Sequence, residues 1–250
     1  MNIKSRWKSK IYFLLTLLFV YILLFEFILT ENRILPKPSF LLDAFSSIWS
    51  DYQLLQAFTL TTSVIYTSLI VSYLIVILKS RFIIKAAYDF SGSVETLKVF
   101  SHVPALFLIF FSLFWFGNSI GLEFFLALVI VSWRMGYSLF EIAKNVKMEY
   151  VSVGKNLGLS ENKIFSKIVW KASEPEVYKS LLKSHFYIWG FVLVYEFIAG
   201  INGFGGVLKT ILNYNDFIGF IAVAILISLI IMIANYILEL IGEKLVPWEQ

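Results

Sequence analysis

Polar and apolar positions along the chain separate into long uncharged runs instead of the alternation expected of a half-buried strand or a soluble amphipathic helix. Residues 57–78 and 217–238 carry no charge, and each run is long enough to cross about 30 Å of hydrocarbon as a helix. Residues 11–30 form a third run, interrupted only by Glu26 near its end. It is too long, and lacks the small-residue cleavage site, for a removable signal peptide, so it reads as a span. Residues 99–122 are also uncharged, but Pro104 near the start and Asn118 and Gly121 near the end predict a shorter helix followed by a tight turn. Two further runs enclose charges, Arg134 within the fourth with Glu123 near one end, and Glu196 within the last before the carboxy-terminal span. The pattern predicts an all-α integral membrane chain of about six transmembrane helices, near 11–30, 57–79, 101–117, 122–140, 184–199 and 217–241, forming a single domain.

Composition sharpens this. At 59% apolar and 15% charged residues over 250 positions, the chain departs from a soluble domain, which runs nearer half apolar and a quarter charged. The absence of cysteine removes thiolate metal sites, disulfides and cysteine nucleophiles, and leaves His102 and His185 as the histidine ligands, too few for a metal centre. No catalytic or metal site is expected. The net charge of +4 is read as topology, with no nucleic-acid partner: 17 of the 21 Lys and Arg fall in 1–10, 79–98, 141–183 and the last dozen residues. That bias predicts those segments, and both termini, to be cytoplasmic.

The segment 141–183 is the one sizeable polar stretch. Residues 149–157 predict a short helix, Gly158 its C′ position, and Ser160 the N-cap of a second helix over 161–170. Ile164, Phe165, Ile168 and Val169 give the second helix an apolar face, while Lys163, Lys167 and Lys171 repeat every fourth residue. Such an element either docks in a groove of another protein or lies on the lipid bilayer with its lysines toward headgroups.

This loop resembles the EAA-type loop of the membrane subunits of binding-protein-dependent ABC importers. The family's Glu-Ala-Ala falls on Ser152, Val153 and Gly154, its glycine on Gly158, its isoleucine on Ile168, and its closing Leu-Pro on Trp170 and Lys171; the glycine and isoleucine match outright. Leu157-Gly158-Leu159-Ser160 followed by Ile164 keeps the family's texture. Leu35-Pro36-Lys37-Pro38, Val103-Pro104-Ala105-Leu106 with Trp115-Phe116-Gly117, Glu196 followed by Gly203-Phe204-Gly205-Gly206, and Leu245-Val246-Pro247-Trp248 are similar to the sulfonate, taurine and nitrate branch.

The resemblance implies a type I ABC importer permease fold in the bacterial cytoplasmic (inner) membrane. It also implies a cytosolic ABC ATPase dimer, a second permease subunit, identical or paralogous, and an extracytoplasmic solute-binding protein. No Gly-x4-Gly-Lys-Ser/Thr loop is present, so ATP and Mg are expected on the partner ATPase, with no cofactor in this chain. The expected ATPase-coupling residues are Ser152, Val153, Gly154, Leu157, Gly158, Leu159, Ser160, Ile164 and Ile168. Arg134 and Glu196, charges inside spans, are candidates for the translocation path or an in-span ion pair. Asn202, Gly203, Gly205 and Gly206 are candidates for an outer-face contact with the binding protein. His185, Trp189 and His102 read as packing or interface residues. The competing readings are a vitamin-importer coupling subunit, which would show paired Ala-Arg-Gly-type cytosolic motifs, an intramembrane enzyme, which would place Asp, His or Ser pairs at helical spacing within spans, and a membrane assembly factor.

Overall fold

A computed structural model describes residues 3–29, 35–89, 103–146 and 148–246. Every regular element in them is helical: α1 (Ile3–Ile22), α2 (Pro38–Asp51), α3 (Leu54–Asp89), α4 (Ala105–Phe116), α5 (Ile120–Asn145), α6 (Met148–Asn156), α7 (Glu161–Ala199), α8 (Phe204–Asn213) and α9 (Phe217–Leu245). Wider π-helical turns continue α1 through Leu23–Ile28 and occupy Ile164–Val169 within α7. Among the described residues, α3, α5, α7 and α9 are long and apolar enough to cross a membrane, and Leu15–Ile28 and Ala105–Phe116 are shorter apolar helices in the first and third predicted spans. His102 lies outside the described residues.

The helices overrun the apolar stretches that announce them. At 1.5 Å per residue, the 36 residues of α3 reach about 54 Å, well beyond about 30 Å of hydrocarbon. The helix therefore carries Lys79, Arg81 and Lys85 past the apolar run. The prediction that 161–170 ends as a short helix and 184–199 begins a separate span is corrected: α7 is continuous over 39 residues, through Pro175. Proline removes one intrahelical donor but does not end this helix, because Val177, Tyr178 and Leu181 beyond it are buried in register with Val169, Trp170 and Ser173 before it.

The chain forms two compact units. One comprises Met1–Leu54 with Thr210–Ile227, the other Leu55–Lys209 with Ser228–Gln250. In the second, α5 packs along α7. Ala127, Val131, Met135, Leu139 and Ala143 recur every fourth residue on α5 and are fully buried, which is the stripe a helix presents to one neighbour. α3 joins α5 by polar contacts, with Ser72 Oγ donating to the Leu128 carbonyl at 3.1 Å and Ser132 Oγ to Ser72 Oγ at 3.0 Å. Small hydroxyl residues let the helices approach while satisfying their own polar groups.

Helix starts are where the fold spends its acidic residues. The first four N–H groups of a helix have no intrahelical acceptor, and lipid offers none. In the first unit, Glu26 Oε2 accepts from the Ser39 N–H of α2 at 3.1 Å, and Asp216 Oδ1 accepts from the Gly219 N–H of α9 at 2.9 Å. Tyr52 Oη donates to the other oxygen of Asp216 at 2.8 Å. Burial, with the Asp216 carboxylate beside it, pushes the Tyr52 hydroxyl up to about 12, so it stays a donor at physiological pH.

In the second unit the same device is fully buried. Glu196, with no exposed surface, accepts from the Gly205 N–H of α8 through Oε2 at 2.8 Å and from Thr61 Oγ1 through Oε1 at 2.6 Å. Thr61 Oγ1 in turn accepts from the Phe204 N–H at 2.9 Å. One carboxylate on α7 and one hydroxyl on α3 thus close the start of α8. The approach leaves no room for side chains: a Cβ on Gly203 would enter the Glu196 carboxylate, and one on Gly205 would run into the Leu193 carbonyl oxygen.

Two outcomes follow from this cluster. Thr61→Val removes the hydroxyl and strands the Phe204 N–H and one Glu196 oxygen, and should cost about 2 kcal/mol or more, lowering the thermal unfolding midpoint in detergent by several degrees; Thr61→Ser should restore most of it. Gly205→Ala meets backbone, not a flexible side chain, and should lower monodisperse yield more than Gly154→Ala, read by size-exclusion chromatography.

Candidate functional site

The segment expected to couple the chain to a partner is built from α6, a turn at Gly158 and the start of α7. α6 ends in a paired arrangement: the Leu159 N–H donates to the Gly154 carbonyl at 3.1 Å and the Gly158 N–H to the Lys155 carbonyl at 2.9 Å. This six-to-one and five-to-two closure needs a left-handed residue, and Gly158 has φ of 71°. Ser160 stands at the N-cap as expected, but its side chain makes no capping hydrogen bond.

One face of α6 turns inward. Val151 and Gly154 are buried, and a Cβ on Gly154 would stand 2.8 Å from Ile168 Cδ1 and 3.0 Å from Ile164 Cγ1. The glycine lets α6 lie directly on the isoleucines of α7. Behind them, Phe165 stacks on Tyr88 of α3 with ring centroids 5.3 Å apart. The π-helical turn over Ile164–Val169 brings Ile164, Phe165 and Val169 all into this buried layer. Lys171, where the resembling family carries proline, donates to the nearly buried Glu174 at 2.7 Å.

The other face is apolar and open. Tyr150, Val153 and Leu157 are 49%, 55% and 71% exposed, and their spacing of three and four residues sets them in one stripe. Of the expected coupling residues, Val153 and Leu157 therefore face outward, Ile164 and Gly154 face inward, and Ser152 and Gly158 are exposed. Tyr150 belongs to the stripe and was not singled out from sequence, though its i, i+3, i+7 relation to Val153 and Leu157 could have shown it.

The two in-span charges are not brought together. Glu196 is held by Thr61 and α8, whereas the Arg134 guanidinium lies over the Tyr187 ring, 4.3 Å from its centroid. Arg134 borders a cavity of about 320 Å³ with Leu108, Val129, Ile130, Trp133 and Tyr187. Of the four residues expected on an outer surface, Gly203 and Gly205 are buried beneath the turn, Gly206 is half-buried and Asn202 is exposed. Gly203 and Gly205 serve the packing against Glu196, and Gly206 the close approach of the Ile201 carbonyl.

His185 is fully buried and accepts from Trp189 Nε1 through Nε2 at 3.0 Å, with the Tyr66 ring stacked 5.9 Å away. That is the packing role expected of both residues. Glu123, in the first turn of α5, is also fully buried, and neither of its oxygens has a hydrogen-bond partner. Among the described residues, no group of three or more His, Cys, Asp or Glu could hold a metal ion.

No curated protein matches the chain. Residues 96–246 match the family model of the binding-protein-dependent transport system inner membrane component, a stretch that contains α4 through α9 with the α6–α7 element at its centre. The long apolar helices, the absence of strands among the described residues and this match agree, and the chain belongs to the family of inner membrane components of binding-protein-dependent transport systems.

Proposed function

We propose that this permease is the membrane subunit of an ATP-driven importer and that it meets a separate cytosolic ATPase through the outward face of α6. The observation that carries the reading is the Tyr150, Val153 and Leu157 stripe. Three large apolar side chains facing water on a short helix are costly unless another surface covers them. The helix beneath them is held in place by Gly154 against Ile164 and Ile168. A helix with one face anchored to the spans and the other to a moving partner transmits displacement in both directions, which is what alternating access driven from the cytosol requires.

The same reading places 141–183 and both termini on the cytoplasmic side of a bacterial inner membrane, supported by the distribution of Lys and Arg. It gives the complex two ATPase subunits, a second permease subunit identical or paralogous to this one, and a binding protein on the opposite face, where Asn202 is exposed. ATP and Mg belong to the partner. The solute is a small molecule of the sulfonate, nitrate or vitamin-precursor kind.

The test is gentle purification of the tagged chain from its own membranes. The native sequence should bring an ATPase in stoichiometric amount, and Leu157→Asp should reduce its recovery at least tenfold while leaving the thermal unfolding midpoint of the permease within a few degrees, because Leu157 touches solvent. Leu157→Met should behave as native. Gly158→Arg, which forces a side chain into a left-handed turn, should lose both ATPase and stability. Absence of an ATPase from the native preparation overturns the reading.

A further inference from the structure

α3 leaves the hydrocarbon with one face fixed. Its uncharged run over 57–78 is about 33 Å long at 1.5 Å per residue, enough to use up a hydrocarbon layer of about 30 Å. Lys79, the first charge after the run, therefore stands where the headgroups begin. The helix continues to Asp89, and its inner side stays packed, with Ser80, Ile84 and Ala87 all buried. That packing keeps the helix from rolling, so the residues it turns outward at headgroup level are set by the sequence.

At 3.6 residues per turn, Leu78, Phe82 and Lys85 fall on the side opposite Ser80, Ile84 and Ala87, with Arg81 on one flank and Lys79 on the other. All five are exposed, Leu78 by 76% and Phe82 by 61%. Phe82 gathers the flanking cations: Lys79 Nζ lies 5.7 Å and the Arg81 guanidinium 5.4 Å from its ring centroid. The ring attracts each of them, but two cations over one ring repel one another, and Lys85 adds a third. Asp89 is the only acidic residue of α3, and it stands about 12 Å beyond Arg81 along the helix. Positive charge is thus in excess around an exposed aromatic ring.

Such a face narrows the choice of partner. Water leaves Leu78 and Phe82 uncovered, and an acyl chain alone leaves the cations unanswered. A zwitterionic lipid brings a phosphate but sets its own ammonium among three cations. A phospholipid of net negative charge answers both needs. Its phosphate lies among Lys79, Arg81 and Lys85, and an acyl chain runs along Leu78 and then Leu74, one turn deeper and 51% exposed. Basic residues at the end of a span are drawn to anionic headgroups in this way.

We propose that the face of α3 formed by Leu78, Lys79, Arg81, Phe82 and Lys85 is a binding site for an anionic phospholipid of the adjoining leaflet. The inference needs only that α3 spans the membrane, and it is independent of the α6 contact.

The test is native mass spectrometry of the full chain released from mixed micelles that hold equal amounts of phosphatidylglycerol and phosphatidylcholine with the same acyl chains. The native sequence should retain one phosphatidylglycerol in clear preference to phosphatidylcholine. Lys79→Gln with Arg81→Gln should reduce that preference about tenfold or more, and Phe82→Leu should reduce it severalfold without changing any charge. Lys155→Gln with Lys163→Gln removes two charges from another exposed surface and should leave the preference as it was. Because the substituted side chains are exposed, every variant should unfold within a few degrees of the native chain. Equal retention of the two lipids by the native chain overturns the site. So does an equal loss of preference in both double variants, which would make the effect one of net charge. Lipid preference unchanged in the Lys79 and Arg81 variant, with recovery of a partner protein lost, also overturns it and makes this face a protein contact.

Discussion

Helix N-termini impose the constraint on which this structure depends. Each exposes backbone donors that lipid cannot satisfy, and three are met by a carboxylate: Glu26 for α2, Asp216 for α9 and Glu196 for α8. The Glu196 case is the most demanding, because it combines a buried carboxyl group, a hydroxyl from a helix 135 positions away in sequence and two glycines that cannot accept a side chain. The buried carboxyl group is tolerated because each of its oxygens faces a donor. Remove a donor and a carboxylate oxygen is stranded in a dry place.

That use of acidic residues decides what the remaining charges can do. With Glu196 committed to α8, Arg134 is met by the Tyr187 ring and borders an apolar groove.

At the other end of the same helices, the α6–α7 element separates holding from contacting. Gly154, Ile164 and Ile168 form the held side, and Tyr150, Val153 and Leu157 the contacting side. Where the family's pattern has alanine, this chain has Gly154, and the closer approach it permits gives α6 a firm seat on α7. Lys171, in place of proline, covers the buried Glu174. The departures from the family's pattern are thus accommodated within the element and keep its two-faced character.

By itself the sequence determined that the chain is helical and membrane-embedded, since uncharged runs longer than a bilayer is thick admit no other economical solution to backbone hydrogen bonding. It also determined the helix–Gly158–helix element, because a left-handed turn followed by an N-cap residue is local chemistry written in adjacent positions. The N-cap role of Asp216, three residues before Gly219, was not read from the sequence, although an acidic residue just ahead of an apolar run is the same kind of local signal. What only the tertiary structure decided is everything that joins distant segments: Thr61 to Glu196, Tyr52 to Asp216, and Arg134 to Tyr187 instead of to Glu196. It also decided that α7 runs unbroken past Pro175, because packing on both sides of a proline, not local propensity, sets whether a helix continues. Hydropathy reports the solvent a residue prefers and is silent on which neighbour satisfies it, so the spans were visible in the chain and the partners were not.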